Sequence, residues 1–220
     1  LHEALAIAKL LDQEWSIEAL ITIADHLSPD VPKIIDEVIL IALRIRSRRG
    51  RARALSSLIP HVAGDQKKIL LDKALRTTFL ITGDYALSEA LCAVAKHIPT
   101  DATDILGKAL TSIRSIKKEY YRSDALIAVA KRLTKCCTEL AEMAFDIAQS
   151  ISKPTDRMYA LLAVSEVLPQ EQEKLILNWA ITEAKSISDE ESRFYPMLAV
   201  ARRLPKEARL QILPDLLNSA

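Results

Sequence analysis

The pair Ala-Leu returns along the chain at a fixed interval. It stands at Ala19-Leu20, Ala54-Leu55, Ala90-Leu91, Ala125-Leu126 and Ala160-Leu161, and Pro196-Met197 takes the same slot; every step is 35 or 36 residues. A second track, Ala4, Ile39, Ala74, Ala109, Ala144 and Ala180, keeps the same step. A period in this range marks a stack of repeated supersecondary units, because one such unit cannot bury its apolar face alone.

Each unit reads as two helices. Ala125, Leu126, Val129, Ala130 and Leu133 recur at helical spacing, and so do Leu140, Met143, Ala144, Ile147, Ala148 and Ile151. Each set paints one apolar face. We call the first helix A and the second helix B. Pro29, Pro99, Pro169 and Pro205 follow successive A helices at one offset, where a residue that cannot continue a helix enforces the A-to-B turn. Gly64 takes that position in the second unit through its backbone freedom. Pro60 falls inside the predicted second helix A and is expected to kink it. Pro214 interrupts the last helix B. Small residues recur at one position of helix A, at Ala24, Ala95, Ala130, Ser165 and Ala201, which permits close approach of neighbouring helices.

The expected fold is therefore all-α, an α-solenoid of about five and a half stacked antiparallel helix pairs. A single repeat domain over 1-220 divides into units 1-15, 16-50, 51-86, 87-121, 122-156, 157-192 and 193-220, the first and last partial. Aromatic residues make up 5% of the 220 residues and there are four glycines, which favours aliphatic helix packing over a sheet. The chain opens inside a helix B and without Met. This leads us to expect a longer parent chain, or self-association through the uncapped N-terminal end.

The repeat R-x-x-A-L-x-x-h-A-x-x-L-P is carried by Arg157, Ala160, Leu161, Leu168 and Pro169, and returns from Arg193 to Leu204-Pro205. With its second helix bearing A-x-x-x-A and an I-x-D-like exit, it resembles bacterial repeats of the tetratricopeptide and HEAT type. The resemblance covers essentially the whole chain, although the Trp and Gly-Tyr pattern of a tetratricopeptide helix A is missing. It implies a right-handed superhelix of the kind attached to larger signalling proteins, including NTPases of the STAND type. It implies binding rather than catalysis.

The formal charge is +1, so no global field draws the chain to nucleic acid or membrane. No stretch is apolar enough to span a bilayer. Cys92, Cys136 and Cys137 are a poor disulfide framework and read as reduced thiols, hence a cytoplasmic setting. His26, His61 and His97 share one slot in three A helices. Equivalent slots in stacked helices lie about 8–10 Å apart, too far for common ligation of one zinc ion, so no metal is expected. Phosphate-loop, dinucleotide and zinc-protease motifs are missing. We expect no cofactor and no enzymatic activity.

Two series remain as candidate partner-binding residues. Arg44, Arg46, Arg48, Arg49, Arg51 and Arg53 place six guanidinium groups around the first B-to-A junction, able to grip phosphates or carboxylates or to cap helix carbonyls. Arg48 and Arg49 are the hardest to explain structurally. Arg51, Arg122, Arg157 and Arg193 stand three residues before the Ala-Leu beat, with Tyr121, Tyr159 and Tyr195, and with Trp15, Tyr85 and Tyr120, near the same edge. Such an edge can hold a nucleic-acid strand by charge and stacking, or make contacts between repeats. A protein- or peptide-binding scaffold is the leading expectation, nucleic-acid binding the alternative. A DNA glycosylase on HEAT-like repeats is the remote third.

Overall fold

A computed structural model describes residues 18–20, 22, 23, 26 and 32–210, without the side chains of 32–34, 190 and 191. Pro29, Pro214, Trp15, Ala4, Ala24 and the N-terminal end proposed for self-association lie outside the described residues. Among the described residues every regular element is helical and no strand occurs. The principal helices are α1 (Pro32–Arg44), α2 (Arg48–Leu58), α3 (Gly64–Phe79), α4 (Asp84–Ala95), α5 (Thr103–Arg114), α6 (Glu119–Ala130), α7 (Thr138–Gln149), α8 (Pro154–Ser165), α9 (Gln170–Ser186) and α10 (Glu190–Ala201). Odd-numbered helices are B helices and even-numbered ones are A helices.

The beat is the core. Ala54, Leu55, Ala90, Leu91, Ala125, Leu126, Ala160 and Met197 have no exposed surface, and neither have Ala74, Ala109, Ala144 and Ala180 on the B helices. The Ile39 slot departs from this pattern: Ile39 is half-buried, and Val38 and Ala42 take the buried face of α1 instead. The small A-helix residues Ala95, Ala130, Ser165 and Ala201 are all buried.

Helix ends follow local chemistry. Helices α4, α8 and α10 stop at Ala95, Ser165 and Ala201, ahead of Pro99, Pro169 and Pro205. Pro154 sits in the first turn of α8, where its missing N–H costs no bond. Ser47 caps α2 by accepting from Gly50 N, and Asp189 caps α10 by accepting from Ser192 N. The A-to-B turn before α3 passes through Gly64 at φ 56°, a left-handed conformation suited to glycine. Pro60 does not kink a continuous helix: α2 ends at Leu58, and Pro60 lies in the 3-10 turn Ile59–His61 that follows. A proline ring fits the start of such a turn, where no helical N–H is required of it.

The chain divides into two compact units with the boundary after Pro99. In the first, α2 packs on α1, α3 and α4, and α3 on α4. In the second, α6 packs on α5, α7 and α8, while α8 packs on α7, α9 and α10. Within each unit, consecutive helices pack against each other, and each A helix also lies against the next A helix. No described helix is long and apolar enough to cross a membrane.

Candidate interaction site

Most of the arginines are occupied by the protein itself. Three share one arrangement. Arg51 Nε donates to the Ile45 carbonyl at 2.7 Å, Arg157 Nη1 to that of Ile151 at 3.3 Å, and Arg193 Nη1 to that of Ile187 at 3.4 Å. Each isoleucine follows the end of a B helix, where carbonyls lack helical partners. The arginine on the next A helix reaches back six residues and satisfies one. Arg122 instead reaches across its own hairpin to the end of α7, with Nη2 3.4 Å from the Ser150 carbonyl, and lies 3.6 Å from Glu119 Oε1 on its own helix.

The two arginines left unexplained by sequence have structural partners. Arg48 Nη1 donates to the Leu80 carbonyl at 2.8 Å, capping the end of α3. Arg49 lies over the Tyr85 ring, 4.7 Å from its centroid, and pairs with Glu89. Arg53 also meets Glu89, at 3.2 Å, and reaches Glu18 at 3.0 Å. Glu18, Arg53 and Glu89 occupy one slot of three successive A helices, so the charges alternate along the row. Arg44 and Arg46 are exposed.

The tyrosines do not form one aromatic strip. Tyr85 and Tyr120 sit in the first turn of their helices, whereas Tyr159 and Tyr195 directly precede the beat. Tyr121 is half-buried and packs edge-on against Tyr120, while Tyr195 is exposed beside Phe194. Burial, assisted by the Asp156 carboxylate, pushes the Tyr159 phenol up. Burial and the neighbouring Asp156 raise the Asp124 carboxyl, against the opposing pull of a hydrogen bond from Tyr120. Glu119 shows the reverse: Ser152 N and Lys153 N both donate to its carboxylate at 3.0 Å and hold it below the usual range.

The three cysteines are free thiols. No group of three His, Cys, Asp or Glu side chains converges on a metal-sized site among the described residues. His26 is exposed, whereas His61, His97, Arg132 and Arg203, which share its slot, are half-buried.

The second unit contains a groove. Helix α5 lies directly on α7, where Gly107 faces Leu140 and even an added Cβ would stand 3.6 Å from Leu140 Cδ2. One repeat later, Glu142 replaces that glycine, and α7 and α9 scarcely touch. Between them opens a cavity of about 540 Å³, within the range of ligand-binding clefts. Phe145 and Gln149 of α7 line it, with Leu175, Ile176 and Trp179 of α9 and with Arg157 and Leu161 of α8. The Arg157 guanidinium lies 5.4 Å from the Trp179 ring centroid. Leu175 leaves 69% of its surface exposed at the rim.

Of these residues, sequence reasoning singled out Arg157 for binding and missed the rest. The available signal was Trp179 itself. It occupies a B-helix slot held by Val38, Lys73, Lys108 and Met143 in the preceding units, buried at Val38, half-buried at Met143 and exposed at the two lysines, so an indole there is a weak departure from pattern. The chain matches no family model, no curated protein and no solved structure.

Proposed function

We propose that the chain is a non-enzymatic interaction module, a right-handed α-solenoid of tetratricopeptide or HEAT kind, that seats a segment of a partner protein in the groove between α7 and α9. The observation that carries this reading is the cavity of about 540 Å³ walled by Phe145, Leu161, Leu175, Ile176 and Trp179. Large aromatic and aliphatic side chains around a partly desolvated cleft are the usual anchors of peptide recognition. The arginines Arg48, Arg49, Arg51 and Arg53 hold carbonyls and carboxylates of the chain itself. That engagement weakens their claim to phosphates and places nucleic-acid binding second.

The test is a selection of displayed peptides on the whole chain, followed by affinities for Leu175→Asp, Trp179→Ala and, as a control away from the groove, Tyr195→Ala. Selected peptides are expected to lose about tenfold or more with either groove variant and to keep their affinity with the control. Peptide binding indifferent to both groove variants overturns the assignment. Salt-sensitive binding of a single-stranded oligonucleotide, unchanged in those variants, would replace it with the nucleic-acid reading.

A further inference from the structure

Among the described residues that line the cavity there is a single charge, while Glu142 stands farther along the same gap beside a smaller cavity. Arg157 is the one ionised side chain among the described lining residues, and none of these is a carboxylate. Arg193 makes the same reach to the isoleucine six residues back, so that bond alone serves the repeat. Arg157 differs in what surrounds it. Its guanidinium is pinned on one side to the Ile151 carbonyl and stacked beside Trp179, and it fronts the cavity. One of its five N–H groups accounts for the bond to Ile151. The rest of the fork is held in a fixed plane at the edge of an apolar cleft, which suits a planar, bidentate acceptor. An ammonium or guanidinium brought there would meet like charge.

Resting on the groove reading above, we propose that the occupant is an acidic amphipathic segment of another protein, with a bulky apolar side chain between α7 and α9 and a neighbouring Asp or Glu carboxylate on the Arg157 fork.

The experiment uses the whole chain carrying Trp15→Phe, which leaves Trp179 as its one indole reporter. The probe is a short end-capped peptide with Leu-Leu-Phe flanked by glutamates, compared with a twin carrying glutamines. The glutamate peptide is expected to shift Trp179 emission and bind, and the glutamine twin to bind about tenfold more weakly. Arg157→Gln should erase the difference between the twins, whereas Arg193→Gln should preserve it. If Arg157→Gln loses its helical circular dichroism, the twins on the unaltered arginine still decide. Equal binding of the two peptides overturns the carboxylate proposal and leaves the groove standing. Binding of neither overturns both.

Discussion

Arg53 and Glu89 occupy the same slot in successive A helices and meet there, with Arg53 Nε 3.2 Å from Glu89 Oε1. Both side chains keep about a quarter of their surface exposed, at 26% and 25%. Glu89 also receives Arg49, and Arg53 also reaches Glu18. The row is thus a small charge network rather than an isolated pair, which is the circumstance in which partly exposed ion pairs contribute measurably. A double-mutant cycle of Arg53→Gln and Glu89→Gln, followed by urea unfolding, should give a coupling of about 0.5–1 kcal/mol. That coupling should shrink in molar salt. Strict additivity of the two substitutions would remove the pair from the stabilising contacts.

Glu119 ties one hairpin to the next through the backbone of Ser152 and Lys153. Its folded-state pKa lies below the unfolded one. The resulting stability is complete above the unfolded value, about pH 4, and disappears as pH falls through the folded value. Glu119→Gln should therefore lower the melting temperature at pH 7, and the gap to the parent should close toward strongly acid pH. A pH-independent gap would contradict the linkage.

Asp124 has the opposite sign. Burial and Asp156 raise its folded pKa above the unfolded one, so its contribution is most favourable below the unfolded pKa and is lost as pH rises through the folded one. At pH 7 the ionised carboxylate is a burden. Asp124→Asn keeps an acceptor for Tyr120 and should melt higher than the parent at pH 7, with the gain fading at acid pH. A lower melting temperature at pH 7 would show that the charge itself is needed there.

Two glycines should respond in opposite directions to the same change. Gly107 lies inside α5, and a Cβ there meets Leu140 Cδ2 at an ordinary 3.6 Å. Gly107→Ala should stabilise the chain by roughly 0.5–1 kcal/mol through helix propensity. Gly64 adopts φ 56°, and Gly64→Ala should destabilise by about 1 kcal/mol despite the open space around it. Chemical denaturation of the two variants in parallel checks both signs.

The repeat unit, its helix pairing and the buried beat were legible because they depend on spacing along the chain. Proline offsets located the ends of α4, α8 and α10 for the same reason. Pro60 misled because its ring was assigned to a helix that had already stopped at Leu58. The groove was not legible from composition: it depends on how closely B helices of neighbouring hairpins approach, and that turns on pairs such as Gly107 with Leu140, replaced by Glu142 one repeat later. The partners of Arg48 and Arg49 lie 32 and 36 residues away. The second separation is one repeat and the first falls a few residues short of it, so the period could have suggested the neighbouring unit, although not which of several carbonyls or carboxylates each would choose.

The reach of Arg51, Arg157 and Arg193 to an isoleucine carbonyl has a consequence for how such a chain can lengthen. The acceptor is main chain, present whatever side chain the residue carries, and it belongs to the same junction as the donor. A copied unit inserted into the array therefore brings its own fastening with it. Growth by duplication then requires no matching change in the older neighbours at that joint, and those neighbours are free to diverge into surfaces of their own.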